Sequence, residues 1–64
     1  MTCRSYNIRY LQRADNLLDN VQAYLRGVGS QYIGHHDDIA NQIALIDSAI
    51  GEIRGALKTL IEEL

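Results

Sequence analysis

The residues with the most evident chemical potential are arginines and tyrosines near the start of the chain. Tyrosine rings can stack on nucleobases, and an arginine guanidinium group can hold a phosphate through two hydrogen bonds. This pattern is compatible with a sponge or regulator that binds a nucleotide or a short RNA. The alternative is a solvated helix face whose tyrosines pack across a dimer. The five residues are Arg4, Tyr6, Arg9, Tyr10 and Arg13.

A second group of potential ligands is the segment His35-His36-Asp37-Asp38. These residue types bind metal ions, but neighbouring side chains on a helix point about 100° apart. The two histidines of one chain therefore do not converge on a single ion without help from another chain. We predict no metal site and no cofactor.

The remaining residues give catalysis little support. Cys3 is the only cysteine, and no histidine or acid accompanies it in a nucleophile motif. The chain has no glycine-rich phosphate loop between a strand and a helix, and it is too short to enclose a large pocket. We expect a non-enzymatic protein that acts by binding.

The length of 64 residues allows one domain, residues 1–64, and such a short chain buries a small fraction of its surface. With one cysteine the chain cannot form an internal disulfide, and it lacks a cysteine and histidine cluster at structural zinc spacing. Self-association is then the stabiliser we predict, so the first expected partner is the chain itself.

The formal net charge of −2 argues against duplex DNA or an anionic membrane as partner. Residues 1–34 carry four arginines against two aspartates, whereas residues 35–64 carry six carboxylates against Arg54 and Lys58. These opposite signs favour the two halves lying side by side, within one chain or between two copies. No apolar run approaches the roughly 20 residues that span a bilayer, and the first residues lack a secretory signal. We expect a cytoplasmic location.

The strongest structural signal is a heptad pattern, in which apolar residues recur at alternating steps of four and three along the second half of the chain. A matching pattern runs through the first half, with Tyr10, Leu17 and Tyr24 as a third apolar column beside it. Three columns indicate that the first helix contacts more than one neighbour. The predicted oligomer seam consists of Leu11, Leu18, Val21, Leu25, Ile39, Ile43, Ile46, Ile50, Ile53, Leu57 and Leu60, and Ala14, Val28 and Leu64 continue the pattern.

Glycines separate the two periodic segments and predict the helix boundaries. We expect helix one over about 5–26, with Gly27 as its stop, a connection over 27–35 and helix two over about 36–63. The candidate N-caps of helix one are Thr2, Ser5 and Asn7. The predicted fold is all-α: an antiparallel two-helix hairpin, coiled-coil-like, that self-associates into a dimeric four-helix bundle or a larger one.

Gly51 and Gly55 are unexpected within helix two, where each costs about 0.8–1 kcal/mol relative to alanine. Together with Ala44 and Ser48 they form a stripe of small residues opposite the seam, and Leu45 lies on the same outer side. The stripe is interpreted as a second interface between copies, as a shallow groove for a target protein, or as an exposed face that tolerates glycine.

The leading functional hypothesis is stoichiometric binding of a larger protein, by an inhibitor or adaptor of the kind that phages and plasmids encode. The alternatives are the nucleotide or RNA sponge and a pure self-assembly module. Tyr32 and Ile33 lie in the connection, where they either close the end of the bundle or form a docking knob. The predicted partner-binding residues are Tyr32, Ile33, Leu45, Ser48, Gly51 and Gly55.

Overall fold

The computed structural model describes residues 3–64, which form two α-helices. Helix α1 spans Arg4–Ser30 and helix α2 spans Asp37–Glu63, with residues 31–36 between them. The helices pack antiparallel in a rod of 53 × 15 × 14 Å. The prediction of an all-α two-helix hairpin is confirmed.

The start of α1 differs slightly from the sequence-based expectation. Cys3 occupies the N-cap position without a capping side-chain hydrogen bond, and its carbonyl accepts the N–H of Asn7 at 3.0 Å. Ser5 and Asn7 therefore lie inside the first turn, and Thr2 lies outside the described residues.

Helix α1 continues for about one turn beyond Gly27, the predicted stop. A single glycine costs only about 1 kcal/mol in a helix, and the hydroxyl of Ser30 donates to the Gly27 carbonyl at 2.9 Å. The chain reverses at Gly34, the one residue among 3–64 with a positive φ, at 82°. Only glycine adopts this left-handed conformation without a steric cost. The Gly34 N–H then donates to the carboxylate of Asp37 at 2.9 Å, at the start of α2.

The seam between α1 and α2 is built from half-buried side chains. From α1 it takes Leu11, Leu18 and Leu25, and from α2 it takes Ile43, Ile50 and Leu57. Near the tip, a Cβ atom at position 29 would lie 3.2 Å from Cγ2 of Ile43. Gly29 therefore allows the two helices to approach closely where the chain turns.

No hydrophobic side chain among residues 3–64 is buried, and the described part of the chain buries only Gln22 and Gly29. The accessible surface is 5050 Å² for a chain of 7.2 kDa. The scaling for folded monomers gives about 4,100 Å² at this mass. The hairpin therefore leaves about 900 Å² more surface in water than a compact monomer of its size. Neither described helix combines the length and apolar character needed to span a membrane.

Candidate binding surfaces

A network of polar side chains links the helices along one edge of the seam. The Nε atom of Arg54 donates to Asp15 at 2.7 Å, and its Nη1 atom donates to Asp19 at 2.9 Å and to the amide oxygen of Gln22 at 2.8 Å. The Gln22 amide nitrogen donates to the backbone carbonyl of Asp47 at 3.2 Å. One guanidinium group thus connects α2 to three side chains of α1.

The short hydrogen bond between Arg54 and Asp15 shifts the pKa values of both groups. The hydrogen bond from Arg54 lowers the pKa of the Asp15 carboxyl group, and the same bond raises the pKa of Arg54. Nearer the tip, Arg26 donates to Oδ2 of Asp47 at 3.1 Å. The other oxygen, Oδ1, is shielded from solvent and has no hydrogen-bond partner among the described residues. We call Asp15, Asp19, Gln22, Arg26, Asp47 and Arg54 the polar edge.

The sequence prediction missed the polar edge because it compared the charges only between the two halves of the chain and placed the contact by the apolar residues. A signal was present, since Asp15 and Gln22 are seven residues apart on α1, and Asp47 and Arg54 are seven apart on α2. Each pair forms a heptad column next to an apolar one. Opposite charges in matching columns of two helices favour contact between those columns.

The opposite edge of the hairpin carries most of the exposed aliphatic residues. In an antiparallel helix pair, the columns that flank the seam on one edge of both helices are neighbours. Because the ion pairs between described residues lie on the polar edge, the apolar columns of α1 and α2 lie together on the other edge. We call this surface the apolar face; it consists of Val21, Val28, Ile39, Ile46, Ile53 and Leu60.

Columns of very different size border the apolar face. Along its α1 margin are Tyr10, Leu17 and Tyr24, of which Leu17 is 60% exposed and Tyr24 is 77% exposed. Along its α2 margin, at the corresponding heptad position, are Ala49 and Ala56. The face therefore has a bulky border on one helix and a small border on the other.

The predicted oligomer seam divides into two parts in the hairpin. Leu11, Leu18, Leu25, Ile43, Ile50 and Leu57 are half-buried between α1 and α2, whereas Val21, Ile39, Ile46, Ile53 and Leu60 are exposed on the apolar face. A single hairpin therefore uses one of the two predicted columns of each helix. That the second column contacts another copy remains a prediction.

The predicted partner-binding residues do not form one surface. Tyr32 is half-buried, while Ile33 is 67% exposed and lines a groove of about 290 Å³ at the tip, beside the polar edge. Leu45 is 70% exposed but lies about 100° around α2 from Ala44, which lines the groove. The groove is lined by Arg26, Gly29, Ser30, Ile33, Ala40, Ile43, Ala44 and Asp47.

The two unusual glycines of α2 differ in their surroundings. A Cβ atom at position 51 would lie 3.5 Å from the amide nitrogen of Gln22, an ordinary contact, and at position 55 it would meet no atom within 4 Å. The hairpin therefore leaves room for a Cβ atom at both positions. Ser48, Gly51 and Gly55 are exposed on the polar-edge side of α2.

Three of the five residues predicted to contact a nucleotide or RNA lie together. The rings of Tyr6 and Tyr10 are 4.5 Å apart between centroids, and the Tyr6 hydroxyl donates to that of Tyr10 at 3.0 Å. This bond raises the pKa of Tyr6. The guanidinium carbon of Arg13 lies 5.4 Å from the Tyr10 ring centroid, within cation–π distance. Arg9 is exposed, and Arg4 instead donates to the backbone carbonyl of Leu64.

The histidines lie at the tip and are exposed. The ring centroids of His36 and Tyr32 are 6.1 Å apart, and His36 is the N-cap residue of α2. Within residues 3–64, no three side chains of His, Cys, Asp or Glu are grouped closely enough to hold a metal ion.

Comparison of the chain with protein-family models, with curated proteins and with solved structures finds no match.

Proposed function

We propose that this chain is a non-enzymatic binding protein that self-associates through its apolar face and acts stoichiometrically on a larger protein. The observation that supports the proposal is the absence of any buried hydrophobic side chain among residues 3–64, together with an apolar face that follows most of α2 and the second half of α1. A surface of this size and continuity is typical of a protein-binding site. Chemistry would require a concave site with converging polar groups, whereas the depressions beside Ile33 and beside Tyr10 are shallow and lined mainly by apolar surface.

For the larger protein, the structure favours the groove at the tip over the other exposed surfaces. An apolar side chain of a target fits beside Ile33 and Ala44, and the exposed Arg26, which pairs with Asp47, lies at the wall of the groove. Ser48, Gly51 and Gly55 would extend the contact along α2.

Paired variants at the tip test this part of the proposal. Immobilised wild-type protein should retain a target from an extract of its host, and Ile33→Asp should lose that target because it places a charge in the apolar groove. Gln31→Asp adds the same charge to the neighbouring exposed surface and should retain the target. The purified target should then bind at a fixed molar ratio in a calorimetric titration. If both variants retain the same proteins as the wild type, the groove is not the docking site.

The cluster of Tyr6, Tyr10 and Arg13 supports a second candidate, binding of single-stranded RNA or a nucleotide. Such binding should weaken steeply with salt, because phosphate contacts release counterions. The anisotropy of a labelled RNA oligonucleotide, measured at several salt concentrations, separates this candidate from an apolar interface. Arg13→Gln should reduce the slope of log affinity against log salt by about 0.7 if Arg13 binds one phosphate. An affinity that does not change with salt would contradict this candidate.

A further inference from the structure

We propose that a second copy of this chain covers the apolar face, with both hairpin tips at the same end of a four-helix bundle. In this arrangement α1 of each copy packs beside α2 of the other. The inference rests on the self-association proposed above and adds to it the identity of the contacting helices and their direction.

The amount of exposed surface fits a second copy. A standard protein interface buries about 800 Å² on each partner. The hairpin exposes about 900 Å² more than the scaling for a folded monomer of 7.2 kDa. Covering the apolar face with an equal hairpin would remove a similar area from each copy and would complete a core that one copy lacks.

The sizes of the side chains that border the apolar face favour hairpin tips at the same end. With the tips at the same end, the α1 margin of one copy meets the α2 margin of the other. Leu17 would then face Ala56 and Tyr24 would face Ala49, so each large side chain lies against a small one. With the tips at opposite ends, each α1 would lie beside the other α1. Bulky columns would then meet bulky columns, and the alanines would leave a gap.

The register within the hairpin brings these pairs to the same height. Arg54 contacts Asp15, and Gln22 contacts the backbone of Asp47, which fixes the height of α2 relative to α1. At this register Leu17 lies level with Ala56 to within one helical turn, and a two-fold axis parallel to the helices preserves that height in the second copy. The proposed pairs therefore require no sliding of either hairpin.

Charge favours the same direction. Arg9 and Arg13 lie near the first end of α1, at the height of Glu62 and Glu63 near the last turn of α2. With the tips together, these opposite charges of the two copies lie at one end. With the tips apart, α2 would place Asp37 and Asp38 beside the glutamates of its partner, which repel them.

The native cysteine tests the arrangement directly. Cys3 is exposed and can carry a nitroxide label without any other change. Neighbouring helix axes in a bundle are about 8–10 Å apart, so tips at the same end should give a distance between the labels below about 30 Å. Tips at opposite ends should separate the labels by about 40 Å or more, the length of a 27-residue helix.

Sedimentation of the labelled protein completes this test. A particle of twice 7.2 kDa with the short distance supports the inference. A dimer with the long distance overturns the arrangement but leaves the proposed self-association. A folded particle of 7.2 kDa overturns both, and a larger oligomer overturns the proposed pair. As a control, Ser48→Cys in a Cys3→Ser background places the label near the middle of α2, where both arrangements give nearly equal distances.

An exchange of side-chain sizes tests the proposed contact without the label. Ala56→Leu should weaken dimerisation at least tenfold, because Leu17 of the other copy already occupies the space. Adding Leu17→Ala should restore most of the lost affinity. Thr59→Leu adds a similar volume to an exposed position away from the apolar face and should leave dimerisation unchanged. If Leu17→Ala weakens the Ala56→Leu variant further, the two residues do not face each other.

Discussion

Replacement of Ile46 with alanine measures the contribution of the apolar face to association. Ile46 is 50% exposed in the hairpin. The substitution removes three carbon atoms, and burial contributes about 0.8 kcal/mol for each CH₂ group. About half of that gain, roughly 1.2 kcal/mol in each copy, is realised only when a second copy covers the face. A symmetric dimer contains the site twice and should lose about 2.4 kcal/mol, a roughly fifty-fold weaker association.

Leu45 is the matched control, because it is the next residue on the same helix and is 70% exposed. It points about 100° away from Ile46, off the apolar face. Leu45→Ala should change the dimer dissociation constant less than twofold, as measured by sedimentation equilibrium over a range of concentrations. Circular dichroism of both variants should show unchanged helix content. The reasoning is refuted if Leu45→Ala weakens association more than Ile46→Ala does.

Two further predictions concern the stability of the hairpin. At a fixed protein concentration, Gly55→Ala should raise the free energy of unfolding by about 0.8–1 kcal/mol, because no atom lies within 4 Å of the added Cβ. Gly34→Ala should lower it by about 1–2 kcal/mol, because φ is positive there. Thermal unfolding checks both variants, and equal changes in their free energies of unfolding would contradict the assigned backbone conformations. Since Arg54 holds the pKa of Asp15 below its ordinary value of 3.8, the ionised carboxylate stabilises the fold above that pH and its contribution is lost as the pH falls below it. Asp15→Asn should therefore be less stable than the wild type at pH 7 and approach it in stability below pH 3.8, as followed by denaturant unfolding. Glu52→Gln, at an exposed position outside the polar edge, should match the stability of the wild type at pH 7.

The sequence predicted the two helices because apolar residues recur at helical spacing over both halves of the chain. It did not predict where α1 ends, since the predicted stop was Gly27 and the helix continues to Ser30. The helix tolerates Gly27, and the left-handed conformation occurs at Gly34, four residues after α1 ends. The position at which the chain reverses depends on the packing of the whole hairpin, which the glycines alone do not reveal.

The sequence also left open which of two apolar columns joins the helices of one chain. On α2, the Ile43 column and the Ile46 column have nearly the same composition, so burial alone does not distinguish them. The structure places Ile43 at the seam and Ile46 in solvent. The polar edge accounts for this choice, because Arg54 reaches Asp15 and Gln22 only when the helices meet along the Ile43 column. The polar edge therefore determines that the Ile46 column remains exposed and available to a partner, which the apolar pattern alone does not indicate.

The three-way bonding of Arg54 also protects the hairpin against a sliding error. Apolar columns that repeat every seven residues remain in phase when one helix shifts by seven residues, so they accept the wrong alignment almost as well as the right one. A shift in one direction would place Arg54 beside Arg26, and a shift in the other would place it beside Ile8 and bring Asp47 next to Asp15. Both shifted alignments leave a charge without its partner or bring like charges together, so the observed alignment is preferred. The hydrogen bonds of Arg54 therefore favour one register of the two helices in a chain that has almost no buried core.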